Sequence, residues 1–181
     1  MDREARTTCE SVIGGTGIKA GDAVLDFGCG AGNYTIPAAK QVGHRGTVYA
    51  VDSDGSKLRE LSEDAGREHV ADIIQVCHTK GELDLELPSA SIDVVLLYDI
   101  FWYFRIGEEL RALLHEVHRL LKADGLLSVF PEHIDVSALQ QEIEDAGFEL
   151  RRRRNSEVFH DHQIESGEIF TFTKASANLQ G

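Results

Sequence analysis

The sequence predicts an α/β protein built as a single domain over residues 1–181, with a doubly wound, mostly parallel sheet and a C-terminal antiparallel hairpin. Three observations predict it. Short apolar runs alternate with stretches of helical period through most of the chain, the mark of repeated βα units whose strands are covered on both faces. A loop with glycine at every second position, Gly28, Gly30 and Gly32, joins the first apolar run to the next helical stretch. The chain then ends on two long strand-like segments separated by the polar stretch His160-Asp161-His162-Gln163.

Each element has a local reason. Arg3 to Ile13 reads as a helix that Gly14-Gly15-Thr16-Gly17 breaks. Ala23 to Phe27 is a short apolar run, so a buried strand. Asn33 to Val42 reads as a helix, with Asn33 or Thr35 as its cap and Pro37 in the first turn, where a missing N–H is tolerated. Gly46 to Val51 is the second strand, ending at Asp52, and Asp54 to Gly66 a helix with Leu58, Leu61 and Ala65 on one face. Ile73 to Cys77 is the third strand and Ile92 to Tyr98 the fourth, an apolar run broken only by Asp93. Glu108 to Leu121 is an amphipathic helix, Leu126 to Phe130 the fifth strand, and Val136 to Ala146 a helix stopped by Gly147. Phe148 to Phe159 and Ile164 to Lys174 form the hairpin, and the tail Ala175 to Gly181 is expected to be loose.

Composition narrows the partner. The 181 residues are 42% hydrophobic and 27% charged, with a formal net charge of −13. That acid excess favours a small-molecule partner over nucleic acid, which is usually met by a basic face. The one basic run, Arg151 to Arg154, reads as a solvated strand face, with an anion contact as the alternative. No apolar run approaches the ~20 residues of a membrane span, and Met1-Asp2-Arg3-Glu4 lacks the apolar core of a signal peptide. A cytoplasmic protein, monomer or homodimer, is the expectation. Cys9, Cys29 and Cys77 form no close pair, so neither a disulfide framework nor a metal site is expected of them. His115 and His118, three apart on a helix, flank an apolar stripe and read as surface residues.

In a doubly wound sheet the ligand lies outside the carboxyl ends of the strands. Gly28, Gly30 and Gly32 stand at such an end, where glycine permits tight turns and close approach of backbone to ligand; tight packing of the loop is the structural alternative. Asp52 ends the next strand, 20 residues after Gly32. An acid there accepts hydrogen bonds from ribose hydroxyls, unless it caps the following helix instead. A dinucleotide and S-adenosylmethionine both fit this much. Asp26 turns the choice towards S-adenosylmethionine, because a carboxylate just before the glycines repels a pyrophosphate and suits an ammonium and a sulfonium. The dinucleotide fingerprint also wants Gly or Ala where this loop has Asn33.

Val24-Leu25-Asp26-Phe27-Gly28-Cys29-Gly30-Ala31-Gly32 resembles motif I of the class I S-adenosylmethionine-dependent methyltransferases. Val48 to Asp52 is similar to that family's second strand and ribose acid, Ser91 to Val95 to the start of its fourth strand, and Leu120 to Leu127 to its "LKPGG" turn, with Ala123 and Asp124 in place of Pro and the first Gly. The resemblance implies the strand order 3-2-1-4-5-7-6. It implies that Asp26 orients the methionine ammonium through the loop or a water. Backbone at Gly28 and Gly30 would line the methionine portion, with Cys29, Gly32, Asn33 and Tyr34 completing that wall. Asp52 would bind the ribose and Ser53 flank the adenine. The family's "GDA" pattern after the third strand is absent; His78-Thr79-Lys80-Gly81-Glu82 stands there, with Gly81 and Glu82 as the adenine-side candidates.

The acceptor is expected after the fourth strand, at Tyr98-Asp99-Ile100-Phe101-Trp102-Tyr103-Phe104, as an aromatic wall or a cation–π surface; a packed strand end is the alternative. Asp99 is a candidate base or ammonium partner, with Tyr98 and His133 as further catalytic candidates, Tyr98 being a cofactor-binding candidate as well. Methyl transfer is an in-line displacement that rests on positioning, and it needs a base only for a protonated nucleophile. The Asn/Asp-Pro-Pro-Tyr signature of many amino-group methyltransferases is absent. The expected function is methyl transfer to a small molecule. The alternatives are a protein or RNA acceptor, or a non-catalytic subunit that binds the cofactor.

Overall fold

Strand β4 (Ile92–Tyr98), apolar but for Asp93, lies at the centre of the seven-stranded sheet. The computed structural model describes residues 3–176. Around β4 the order is β3-β2-β1-β4-β5-β7-β6, with β1 at Ala23–Phe27, β2 at Thr47–Asp52, β3 at Ile74–His78, β5 at Leu121–Phe130, β6 at Phe148–His160 and β7 at Gln163–Lys174. β3, β2, β1, β4 and β5 are parallel, and β7 runs antiparallel to both β5 and β6. The expected strand order and hairpin are both present.

The two sheet faces carry separate cores. Helices α1 (Arg3–Gly14), α2 (Thr35–Val42) and α3 (Gly55–Arg67) cover one face through Val12, Ile13, Ala38, Ala39, Leu58 and Leu61. Helices α4 (Glu108–Leu120) and α5 (Val136–Asp145) cover the other through Leu110, Leu113, Leu114, Val117, Leu139 and Ile143. Side chains alternate across a strand, so Val24 joins the first core while Leu25 and Phe27 join the second. The same alternation aims Asp26 at α2.

Most element ends shift by a residue from expectation, and three of the differences have a specific cause. Helix α2 begins at Thr35 rather than Asn33, and neither expected cap serves: Tyr34 holds the cap position without a side-chain bond, and the Thr35 hydroxyl is spent on Asp26. β5 begins at Leu121, because Leu121 pairs with Ile92 before an irregularity realigns the strands at Val94↔Leu126. In the hairpin, His160 pairs with Gln163, so only Asp161 and His162 turn the chain. Both have positive φ, 46° and 63°, as a two-residue turn that follows strand twist requires. Of the tail, Ala175 is tied by its N–H to the Gly147 carbonyl at 2.8 Å; residues 177–181 lie outside the described residues.

The hairpin is long for a reason. Its last pairing with β5 is Val129↔Phe170. Gln163 to Ile169, and the β6 residues opposite them, therefore run on beyond the carboxyl edge of the parallel strands. That overhang carries Phe159 and His160 towards the loops that follow β1 and β4.

Candidate functional site

The glycine loop after β1 is fixed from three sides. A side chain at Gly28 would strike Ile100, and one at Gly32 would strike Leu61. These two glycines let the loop pack against protein. Gly30 differs: nothing stands within 4 Å of a side chain there, and its φ is +52°. Its freedom serves a backbone turn that faces open space. The Gly30 N–H donates to Asp52 Oδ2 at 2.8 Å, and the Asp54 N–H to Asp52 Oδ1 at 2.8 Å. Asp52 therefore joins the ends of β1 and β2. Capping of α3 falls to Asp54, whose carboxylate accepts from the N–H groups of Ser56 and Lys57.

These elements enclose a cavity of about 590 Å³ across the carboxyl ends of β1, β2 and β4, within the usual range for a small-molecule site. Of the expected cofactor residues, Gly28, Cys29, Gly30, Asn33, Tyr34, Asp52, Ser53, Gly81, Glu82 and Tyr98 all line it, as does Asp99. Asp26, Gly32 and His133 do not. Gly32 is occupied with Leu61. Asp26 is buried behind the loop at 3% exposure, accepting a 2.6 Å hydrogen bond from Thr35 Oγ1. Burial lifts its pKa to about 6, against the Thr35 hydrogen bond and with a further push from Asp52.

The aromatic segment divides. Tyr103 and Phe104 reach the cavity, and Phe104 packs edge-on against Phe27 with ring centroids 5.7 Å apart. Tyr98 offers its ring, but its hydroxyl turns into the core to Ser128 Oγ at 2.7 Å, and burial pushes its pKa up. A proton-transfer role for Tyr98 is therefore not what its geometry serves. Trp102 is 56% exposed and lies edge-on to His133 with ring centroids 4.7 Å apart. His133 stands outside the cavity, its Nε2 3.0 Å from Nε2 of His160. Asp99 is held by His160, whose Nδ1 lies 2.9 Å from Asp99 Oδ2. Burial raises the Asp99 pKa, and the His160 contact opposes the rise. Cys29 also faces the cavity, with its thiol pushed up by burial and by Asp26 and Asp52, so it is a wall and not a nucleophile.

Sequence reasoning missed Lys57, Thr79, Leu83 and Phe159 among the lining residues, and His160 behind Asp99. Thr79 lies inside the stretch already singled out after β3, and Leu83 directly follows it. Phe159 and His160 arrive on the hairpin overhang, which only the strand register reveals.

The cavity's charge tests the cofactor. Asp52, Asp54, Glu82 and Asp99 line it against one cation, Lys57. Such a surface repels a pyrophosphate and attracts a sulfonium and an ammonium. Asp52 keeps acceptor capacity on both oxygens for a ribose, since a carboxylate offers about four lone-pair sites. Doubly wound sheet, strand order and acidic cleft together define a class I S-adenosylmethionine-dependent methyltransferase domain.

The chain belongs to the methyltransferase-domain family, whose profile matches residues 25–129. It is 32% identical over 113 residues to the demethylmenaquinone methyltransferase of Lactobacillus johnsonii, covering 62% of this chain and 44% of that protein. It is equally 32% identical over 113 residues to a U6 snRNA (guanine-N(2))-methyltransferase of Bos taurus, covering 61% of this chain and 22% of that protein. An S-adenosylmethionine-dependent methyltransferase from Aquifex aeolicus shares the fold with a TM-score of 0.74 at 21% identity, over 95% of this chain and 94% of that one. The chain spans about a fifth to a half of the length of the curated relatives it matches. Among the described residues no helix is long and apolar enough to cross a membrane.

Proposed function

We propose that the protein transfers the methyl group of S-adenosylmethionine to a small-molecule acceptor, with a hydroxylated aromatic ring as the first class to test. The observation that carries this reading is the composition of the cavity: an acidic wall at Asp52, Asp54 and Glu82, and a rim of Phe27, Tyr103 and Phe104 beside the Asp99 carboxylate. In it, Asp52 accepts hydrogen bonds from the ribose, Gly28 and Gly30 line the methionine portion, and Ser53, Gly81 and Glu82 face the adenine. Asp26 acts on the ammonium through the loop rather than by contact. The cofactor supplies an electrophilic methyl; the chain aligns the acceptor, excludes water, and offers Asp99 as the base or ammonium partner. Likeness to a demethylmenaquinone methyltransferase supports an aromatic acceptor. A reducing compartment such as the cytoplasm belongs to the same reading, since the three cysteines are unpaired.

An RNA acceptor is the second reading, and it rests on the equal likeness to the snRNA enzyme. The arginine run gives it little support. Arg152 donates to the Gly15 carbonyl, Arg154 to the Val12 carbonyl at 2.9 Å, and Arg153 lies over Phe170 at 4.8 Å, so these cations fasten β6 to its neighbours. An acceptor screen that reads demethylated cofactor separates the two. Turnover on phenols or reduced quinones supports the first reading, and turnover on structured RNA alone replaces it. In calorimetry, Asp52→Ala is expected to weaken S-adenosylmethionine at least tenfold, because it removes a charged acceptor and the Gly30 tether together; unchanged affinity would refute the ribose assignment.

A further inference from the structure

Three side chains from separate elements meet outside the aromatic rim. Asp99 follows β4, His133 follows β5, and His160 ends β6 on the overhang. Asp99 Oδ2 is 2.9 Å from His160 Nδ1, and His160 Nε2 is 3.0 Å from His133 Nε2. Asp161 Oδ2 lies 3.5 Å from the same Nε2. Glu132 and Glu165 each bring a carboxylate oxygen into a group with His160 whose ligand atoms lie within 4.8 Å of one another.

We propose that His133 and His160 hold a divalent transition-metal ion through their Nε2 atoms, with water completing the shell, the carboxylates of Glu132, Asp161 and Glu165 near His160 supplying negative charge, and Asp99 positioning His160 from behind. Two nitrogens about 3 Å apart have the spacing of adjacent ligands on an ion bound at ~2.0–2.1 Å. An imidazole whose Nδ1 faces a carboxylate presents Nε2 as a lone pair, and this is the outer-shell arrangement that orients a ligating histidine. Four carboxylates around His160 leave an excess of negative charge that a cation offsets. His160 is only 7% exposed, so its ring has one fixed orientation, and Trp102 packs edge-on against His133. Asp99 and His133 both sit at positive φ, 58° and 62°, a backbone cost of the kind held at functional sites. A pair of imidazole nitrogens selects the zinc, cobalt and nickel class over calcium or magnesium. No part of this rests on which molecule receives the methyl.

The test uses tag-free protein treated with chelator and titrated with Zn²⁺ and with Co²⁺. One ion per chain is expected by calorimetry, with a Co²⁺ ligand-field band in the visible and a raised melting temperature. His133→Ala removes an exposed side chain, so folding is retained; it is expected to abolish the band and weaken Zn²⁺ at least a hundredfold. His160→Ala should do the same. Asp99→Asn should keep the ion but weaken it about 10–100-fold. His44→Ala, at an 80% exposed side chain paired with Asp72, should change nothing. Absence of the Co²⁺ band, or Zn²⁺ affinity that His133→Ala leaves intact, would reduce the two rings to a hydrogen-bonded pair and overturn the proposal.

Discussion

Asp26 carries a charge that the protein without cofactor would be more stable lacking. Its carboxyl is fully buried, its one hydrogen bond comes from Thr35, and its pKa stands at about 6 against 3.8 for a free carboxyl. The folded state therefore binds the proton more tightly than the unfolded state does. The penalty is fully present above pH 6 and relieved as pH falls from there towards 4. Its size is roughly 3 kcal/mol. Asp26→Asn keeps the shape and an oxygen for Thr35, so at pH 8 it is expected to be more stable than wild type by up to that amount, with the gain vanishing near pH 4. Urea melts at the two pH values check it, and a variant less stable at pH 8 would contradict the argument. If Asp26 acts on the ammonium as proposed, the same substitution should weaken S-adenosylmethionine about tenfold by removing its charge.

Elements joined at one atom explain how the hairpin reaches the site. The Tyr34 hydroxyl, at the start of α2, donates to the Phe159 carbonyl at 3.2 Å and accepts from the Phe159 N–H at 3.1 Å. Tyr34→Phe leaves both backbone groups unmatched, and about 1–3 kcal/mol of stability should be lost. The loss should appear in chemical denaturation, together with faster amide exchange at Phe159. This contact also marks where sequence reading stops. Strand β4 was legible because five apolar residues in a row, Val94 to Tyr98, mark a strand buried on both faces, and Asp52 because it ends a strand after a glycine loop. Phe159 and His160 were not, because their relevance depends on a register between β7 and β5 that no local pattern encodes. Asp26 was legible as a residue of the motif, but its place behind the loop follows from alternation along β1, which the motif alone does not state.

The whole molecule divides between two cores that meet only through the sheet, and the cavity lies along one edge of that sheet. A ligand there touches the loops after β1, β2, β3 and β4 together, so occupancy should be felt by the global transition. At a hundred times its dissociation constant S-adenosylmethionine is expected to add about 2.7 kcal/mol, a rise of roughly 5–10 °C in melting temperature for a chain of this size. NAD at the same excess over protein should leave the transition unmoved, because its pyrophosphate meets four carboxylates. A rise with NAD and none with S-adenosylmethionine would refute the assignment of the cavity.

Trp102 gives the rim a reporter of its own. It is the chain's one tryptophan, it is more than half exposed, and its indole lies against the His133 imidazole with Arg105 5.7 Å from the ring centroid. Intrinsic emission excited at the indole band therefore comes from a single place, the boundary between the aromatic wall and the histidine pair. An acceptor that stacks on the rim, or an ion that engages the imidazole, would alter that emission without any dye or label, so occupancy of the rim can be followed optically in the unmodified protein.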